Sequence, residues 1–238
     1  MAEKKTVALV TGANKGLGRE TARRLSGLGW RVFLAARDRE RGAGAVKELA
    51  GLDVELVELD VTSDASVAAA ARDVAERAGR LDVLVNNAGV GGPPLSPADT
   101  DAGPLRALYE VNVFGPVRVT RAFLPLLRRS ELPRVVMVSS ALASLTHAAD
   151  PARPEHGFLA MDYASSKTAL NMIVSQYARA LPGFKVNAAD PGNPATDMNH
   201  HTGVHTVEES AEVIVHLATL DRDGPSGGFF DRHGSVPW

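Results

Sequence analysis

Tyr163 and Lys167 are spaced four residues apart in a segment that predicts a helix, so a phenol and an ammonium share one helix face. A phenol has an unperturbed pKa of about 10, and a nearby cation favours its ionised form. Such a pair can give a proton to a substrate oxygen or take one from it. The spacing alone is also typical of a plain pair on a helix surface, so its meaning depends on the residues around it.

Polar residues follow two predicted strands at the points where those strands end. Ser139 and Ser140 follow Val138, and the run Asn86-Asn87-Ala88-Gly89 follows the strand 83–85. The carboxyl ends of parallel strands form the edge where α/β proteins bind ligands. Asn112 lies in the predicted helix between these strands, where a structural and a catalytic role can coincide.

A glycine-rich turn joins the first predicted strand to the first helix. Its pattern is G-x-x-x-G-x-G, which departs from the common G-x-G-x-x-G. Glycines let a backbone approach a pyrophosphate closely, and a helix N-terminus supplies free N–H groups and positive dipole. A purely structural turn is the alternative interpretation. The predicted cofactor-binding residues of this turn are Gly12, Asn14, Lys15, Gly16, Leu17 and Gly18.

The residues after the second strand favour one dinucleotide over the other. An NAD site places a carboxylate here, whereas an NADP site places a cation for the 2′-phosphate. Arg37 supplies a guanidinium, Lys15 adds a second cation, and Arg41 is a third candidate or else a solvated helix charge. Asp38 is interpreted as an N-cap of the next helix. The cations predict NADPH/NADP⁺.

Short apolar runs alternate with longer helical patterns, which predicts βαβ units and a doubly wound α/β sheet. The apolar runs have almost no polar interruptions, as in a parallel sheet covered on both faces. No repeat or linker divides residues 1–238, so one domain with about seven strands is predicted. The predicted strands are 6–10, 31–35, 54–59, 83–85, 135–138, 185–189 and 227–230. The predicted helices are 17–28, 38–49, 63–78, 104–129, 163–181 and 207–220.

Composition excludes several classes of protein. The chain has 26 Lys and Arg against 28 Asp and Glu, so no nucleic-acid surface is indicated. Cysteine is absent, which excludes a disulfide scaffold and thiolate chemistry and fits a reducing cytoplasm. The polar start, Met1 to Lys5, predicts no signal peptide, and no run approaches the roughly 18 apolar residues of a membrane helix. No metal site is predicted, and His200, His201 and His205 are interpreted as part of a polar loop.

These features together resemble the classical short-chain dehydrogenase/reductase family, and within it the carbonyl reductases. The resemblance covers essentially the whole chain. The motifs that carry it, in chain order, are Thr11-Gly12-x-x-x-Gly16-x-Gly18, Asp60-Val61, Asn86-Asn87-Ala88-Gly89, Asn112, Ser140, Tyr163-x-x-x-Lys167, and Pro191-Gly192 with Thr196.

The resemblance implies a Rossmann-like fold and a catalytic tetrad. Ser140 would hold the substrate oxygen, Tyr163 would be the general acid, and Lys167 would lower the tyrosine pKa and bind the nicotinamide ribose. The backbone carbonyl of Asn112 would hold a water linked to Lys167. The further cofactor-binding residues implied are Asp60 and Val61 beside the adenine, Asn87 near its ribose, and Ala88, Gly89, Pro191, Gly192 and Thr196.

Three departures from the family pattern bear on the substrate and the assembly. The gap from Ser140 to Tyr163 is 23 positions, longer than usual, as in carbonyl reductases, where an insertion obstructs a common dimer interface. A monomer is therefore slightly favoured over a homo-oligomer, and 144–158 is predicted to be a long loop. Asn193-Pro194 replaces the apolar or aromatic residue common in relatives. The lid segment 197–206 is short, which suggests an open site.

The expected function is NADPH-dependent reduction of an aldehyde, ketone or quinone to an alcohol. One alternative is an NADP-dependent alcohol, sugar or steroid dehydrogenase or epimerase of the same family. The other is a non-catalytic NADPH-binding sensor, because a fold does not fix a function.

Overall fold

The computed structural model describes residues 5–92 and 96–238 and contains eight strands in these ranges. The segment Met1 to Lys5, for which the sequence predicted no signal peptide, lies mostly outside the described residues, which begin at residue 5. The strands are β1 (Val7–Val10), β2 (Arg31–Ala36), β3 (Val54–Glu58), β4 (Val83–Asn86), β5 (Arg134–Val138), β6 (Lys185–Ala189), β7 (Phe229–Asp231) and β8 (Gly234–Ser235). The helices are α1 (Gly16–Gly27), α2 (Arg39–Glu48), α3 (Asp64–Ala78), α4 (Ala102–Tyr109), α5 (Gly115–Leu127), α6 (Leu145–Ala149), α7 (Met161–Ala180) and α8 (Val207–Ala218).

The strands form one sheet in the order β3-β2-β1-β4-β5-β6-β7-β8. The strand pairs from β3 through β7 are parallel. The chain adds β2 and β3 on one side of β1 and then crosses over to add β4 to β7 on the other side. The predicted doubly wound α/β fold is therefore confirmed. The short β8, which was not predicted, is antiparallel to β7. The Asp231 carboxylate accepts from the N–H groups of His233 and Gly234 and closes that turn.

The apolar strands supply two cores, one on each face of the sheet. Side chains of a strand alternate between faces, and in β1 Leu9 belongs to one core while Ala8 and Val10 belong to the other. Both cores contain fully buried side chains, such as Phe123 in one and Leu34 in the other. This two-sided burial is the reason that the strands read as continuous apolar runs.

The helix predicted over 104–129 is interrupted. Between α4 and α5 the backbone forms one π-helical segment, Glu110–Phe114. Segments of this type inside α-helices are frequent at functional sites. Asn112 lies within it and is 1% exposed, so the helix is widened where this polar side chain enters the interior.

The segment 144–158, predicted to be a long loop, is largely structured. It contains α6 and a 3₁₀ segment, Pro154–Gly157. Ser144 caps α6 by accepting from the N–H of His147 at 3.1 Å. The Thr146 hydroxyl donates to the carbonyl of Trp238 at 2.8 Å, and the Trp238 ring stacks on Phe229 at 5.7 Å between centroids. The sequence missed α6 because a five-residue helix has too little periodicity to be recognised, and its support comes from residues far away in the chain.

Phe229, on which the Trp238 ring stacks, is 1% exposed and belongs to the core. Among the described residues, none of the helices combines the length and apolar character needed to cross a bilayer. The prediction of one domain over 1–238 stays a prediction.

Candidate active site

The polar ends of four neighbouring strands meet at the carboxyl edge of the sheet. The order β1-β4-β5-β6 places the glycine turn, the run after Asn86, the two serines and the Pro191-Gly192 segment side by side. Thr11, just after β1, accepts through its hydroxyl from the N–H groups of Asn87 and Ala88, both at 3.0 Å. The predicted motifs are therefore brought together at one edge, as expected from a parallel sheet.

The glycine turn is fastened to the end of β4. The Asn87 amide donates to the carbonyls of Thr11 at 2.8 Å and Gly12 at 3.2 Å. Gly12 has a positive φ of 62°, and a Cβ there would lie 2.9 Å from the Cα of Ala88. A Cβ on Gly18 would collide with the Asn87 amide. The absence of side chains at Gly12 and Gly18 thus serves packing within the protein, whereas the sequence interpretation assigned it to the cofactor.

The start of α1 remains open and suits a phosphate group. Lys15, the N-cap residue, makes no capping hydrogen bond through its side chain. Gly16 has a φ of 52°, and the nearest atom to a Cβ placed there is Thr196 Cγ2 at 3.5 Å. Free N–H groups and the positive end of a helix dipole at such a position bind phosphates. Asn14 and Leu17 flank this opening, so the turn fits the dinucleotide predicted for it.

The three candidate cations differ in their surroundings. Arg37 lies exposed just after β2. Lys15 forms an ion pair of 2.6 Å with Asp197 in the lid segment. Arg41 pairs with Asp38 at 3.5 Å, and the Asp38 side chain accepts from the N–H of Arg41. The interpretation of Asp38 as an N-cap is confirmed, and Arg41 fits the description of a helix-surface charge.

The candidate catalytic pair lies on α7, where Lys167 is buried and Tyr163 is partly buried. Lys167 is 4% exposed. Its Nζ donates to the Val138 carbonyl at 2.8 Å and lies 5.7 Å from the centroid of the Tyr163 ring. Burial lowers the pKa of Lys167 to about 8.

Burial has the opposite effect on the phenol. It raises the pKa of Tyr163 to about 12, and the Ser140 hydroxyl offsets part of that rise. The net shift of the Tyr163 pKa is therefore upward, opposite to the direction that the sequence suggested from Lys167, because desolvation of the phenol dominates. A protonated phenol at neutral pH is the form that can donate a proton.

The two adjacent serines have different surroundings. The Ser139 hydroxyl is buried and donates to the Asn171 side chain at 2.6 Å. Ser140 begins a 3₁₀ segment, Ala141–Ala143, and its hydroxyl interacts with the phenol of Tyr163. The structure therefore places the second serine, the one favoured in the sequence, beside the tyrosine.

Asn112 connects the loop after β4 to α7. Its side chain exchanges two hydrogen bonds of 2.9 Å with the backbone of Val90 and donates to the Ser166 hydroxyl at 3.1 Å. A Cβ on Gly89 would lie 3.3 Å from the Asn112 side chain and 3.5 Å from Lys167 Nζ. The side chain of Asn112 is thus engaged in structure, which leaves its backbone carbonyl for the role implied by the resemblance.

The remaining predicted cofactor residues flank the same edge. Asp60 accepts from both the N–H and the hydroxyl of Thr62, and Val61 is buried against Gly115. Gly192, after Pro191, has a φ of 70°, and a Cβ there would lie 2.6 Å from the His205 ring. Thr196 lies beside Gly16 and forms a reciprocal cap with Asn199.

The lid histidines have contacts within the protein. His205 accepts from the N–H of Asn193, and His201 lies 2.8 Å from the Asp197 carboxylate. Across residues 5–92 and 96–238, no group of three or more His, Cys, Asp or Glu side chains could hold a metal ion.

Sequence reasoning missed Asp190, which lies directly between β6 and the predicted Pro191. It is 6% exposed and acts on Tyr163 electrostatically. A carboxylate in a strand–turn segment gives no signal in a single sequence, although its position beside Pro191-Gly192 could have drawn attention to it. Asp197 was likewise missed as the partner of Lys15.

Residues 6–206 match the family model of the short chain dehydrogenases. The chain therefore belongs to the short-chain dehydrogenase/reductase family, as its motifs indicated, and is an oxidoreductase.

Known relatives cover nearly the whole chain. The (+)-neomenthol dehydrogenase of Arabidopsis thaliana is 37% identical, with 94% of this chain and 95% of the relative aligned. The structure of an NADPH-bound carbonyl reductase from chicken fatty liver is 28% identical, has a TM-score of 0.87, and aligns 99% of this chain with 100% of its own. Salutaridine reductase from Papaver somniferum is 30% identical with a TM-score of 0.83 over 95% of this chain and 99% of its own.

Proposed function

We propose that this protein reduces a carbonyl group to an alcohol with NADPH, and that Tyr163 is the general acid. The observation that carries the proposal is the meeting of the Tyr163 phenol, the Ser140 hydroxyl and the buried Lys167 at the sheet edge that also holds the glycine turn. The solved carbonyl reductase from chicken fatty liver is NADPH-bound, which supports this cofactor. NADPH, when bound, supplies the hydride.

The protein's own residues handle the substrate oxygen and the proton. The Ser140 hydroxyl would hold that oxygen near the phenol, and Tyr163 would donate a proton to it. The Lys167 ammonium would stabilise the negative charge that develops on the phenol oxygen as the proton leaves. Lys15, Gly16 and the start of α1 would bind the pyrophosphate, and Arg37 would bind the 2′-phosphate.

The side chains near the site favour an apolar substrate over a sugar. Large apolar side chains are exposed on the segments that flank the site in the chain, after β4, on both sides of 146–157, and in the lid. They are Val90, Leu145, Phe158, Leu159, Met198 and Val204, with exposures from 38% to 80%. Such a set would bury an apolar ring or chain, whereas a sugar needs converging hydrogen-bond donors and acceptors. An apolar ketone or aldehyde is therefore the proposed substrate class.

The decisive experiment compares two tyrosines of α7. Tyr163→Phe should lower the rate of NADPH oxidation with apolar ketones by about 100-fold or more, while NADPH binding measured by fluorescence stays close to that of the parent. Tyr177→Phe, on the same helix and away from the site, should keep full activity. Equal activity in the two variants would reject the general acid, and no turnover by the parent across a panel of aldehydes, ketones and quinones would favour the sensor alternative.

We also propose that the protein is a cytoplasmic monomer, on the basis of its cysteine-free sequence and the insertion before α7. Light scattering that gives the 25.1 kDa of one chain would support the monomer, and a multiple of that mass would reject it.

A further inference from the structure

A buried hydrogen bond joins the end of β5 to the middle of α7. The Ser139 hydroxyl donates to Oδ1 of Asn171 at 2.6 Å, between residues that lie 32 positions apart in the chain. Ser139 is 2% exposed and Asn171 is 3% exposed. The N–H of Ser139 also donates to the Ala189 carbonyl at 2.7 Å. This serine is therefore held to the sheet through its backbone and to α7 through its side chain.

Ser139 directly precedes Ser140, to which the proposed function assigns the substrate oxygen. The backbone at Ser140 is extended, with a φ of −166° and a ψ of 149°. Consecutive side chains of an extended chain point to opposite sides, so only one of the two serines can point into the interior beside α7. The bond to Asn171 gives that direction to Ser139. Ser140 is left partly exposed, with its hydroxyl interacting with the phenol of Tyr163.

Two further side chains of α7 bond the chain on either side of the two serines. Lys167 Nζ donates to the Val138 carbonyl at 2.8 Å, before them. The Thr168 hydroxyl donates to the Ala143 carbonyl at 3.1 Å, after them. Because the candidate proton donor lies on the same helix, these bonds fix the segment that carries Ser140 relative to that phenol.

The amide of Asn171 is unfavourable for stability in this position. Its Nδ2 is buried and has no hydrogen-bond partner within the part of the chain that the structure describes. A buried donor that is left unpaired lowers the stability of the folded state, whereas an apolar pair of similar shape has no such penalty. Stability alone therefore does not explain the polar pair of Ser139 and Asn171, which leaves the placement of the next residue as its role.

We propose that Asn171 is a positioning residue of this site, which holds Ser139 toward α7 so that Ser140 meets the substrate oxygen beside Tyr163. The inference rests on the proposed function, because that function assigns the substrate oxygen to Ser140. Without the bond, the chain is no longer fixed through the side chain next to Ser140. A misplacement of about 1 Å in an active site can lower a rate by about 100-fold.

The test removes both partners together, in the variant Ser139→Ala/Asn171→Leu, so that neither polar group is left unpaired. The free energy of unfolding in urea should equal or exceed that of the parent. In contrast, kcat for the reduction of an apolar ketone should fall by about 10- to 100-fold, while the dissociation constant of NADPH stays at the parent value. If this variant does not fold, Ser139→Ala alone removes the same bond for the same measurements.

A Ser140→Ala background separates positioning from a merely structural role. If Asn171 acts through Ser140, adding the double change to Ser140→Ala should lower kcat by less than about 2-fold more, because the residue that it positions is already absent. If the two losses multiply in full, Asn171 does not act through Ser140 and the inference is overturned.

Ser210→Ala is the matched control, because it removes another buried serine hydroxyl far from the site. Ser210 is 2% exposed and lies on α8, which packs on the opposite face of the sheet from α7. This variant should keep the kcat of the parent. A parent-like kcat in Ser139→Ala/Asn171→Leu, with the parent active, would overturn this inference alone, whereas an inactive parent would overturn the proposed function.

Discussion

The proposed cofactor-binding side of the site and its proposed catalytic side place their cations in opposite environments. Lys15 and Arg37 are exposed, with 58% of the Lys15 side chain accessible, whereas Lys167 is 4% exposed. The attraction between an exposed cation and an anionic ligand acts through water, which has a high dielectric constant, and dissolved salt weakens it further. A buried cation instead has its own ionisation changed by desolvation. On the proposed function, cofactor binding and proton transfer would thus depend on different electrostatic effects at the same edge of the sheet.

The largest effect is expected from removing the buried cation, Lys167. Lys167→Met should lower the rate of carbonyl reduction by about 100-fold or more, because the charge that stabilises the ionising phenol is lost. Since burial lowers the pKa of Lys167 to about 8, the ammonium is charged below that pH and neutral above it. The reduction rate of the parent should therefore decline as the pH rises through about 8. Initial rates of the parent and of Lys167→Met between pH 6 and 10 check this, with circular dichroism to show that the variant is folded.

Lys167→Arg sharpens the same prediction, because a guanidinium stays charged over the whole range. Any activity that this variant retains should show no decline near that pH. A decline in the arginine variant that matches the parent would mean that another group titrates.

The intermediate effect concerns the exposed cations. Arg37→Asp should weaken NADPH binding by about 10- to 100-fold, since a charge-assisted hydrogen bond to the 2′-phosphate contributes ~1.5–3 kcal/mol. Binding of NADH, which lacks that phosphate, should change little. Dissociation constants from calorimetry at low and high salt check both statements, and the parent's preference for NADPH should shrink as salt is added.

Arg41→Ala is the control for Arg37, because Arg41 pairs with Asp38 on α2. If Arg41→Ala weakens NADPH as much as the Arg37 variant does, the assignment of the 2′-phosphate to Arg37 is wrong.

The smallest expected effect separates binding from packing in the glycine turn. Gly12→Ala should destabilise the fold by ~1–3 kcal/mol, because its backbone has a positive φ and a Cβ would press on Ala88. Gly27→Ala, in α1 with open space around it, should be neutral or slightly stabilising. Urea denaturation without cofactor measures both. If Gly12→Ala is as stable as the parent, packing does not require a glycine at this position, and only cofactor binding would explain it.

Much of the fold follows from local patterns. The apolar runs predicted seven strands and their parallel arrangement, and the helix boundaries fell within a few residues of those observed, as for 207–220 against Val207–Ala218. The predicted single helix over 104–129 was wrong at Glu110–Phe114, because the widened turn depends on where the Asn112 side chain bonds. The helix α6 escaped prediction because its support includes contacts with Trp238.

The sequence by itself determined which chemical groups the candidate site contains. They are a phenol and an amine four residues apart, serines and asparagines at strand ends, a glycine turn, and cations after β1 and β2. These are patterns of residue type and spacing, which a linear chain displays. The tertiary structure decided what those groups can do. Burial raises the pKa of Tyr163 and lowers that of Lys167. Asp190, at the end of β6, lies close enough to act on Tyr163 electrostatically. Desolvation and charge proximity depend on neighbours from distant parts of the chain, so only the folded molecule settles them.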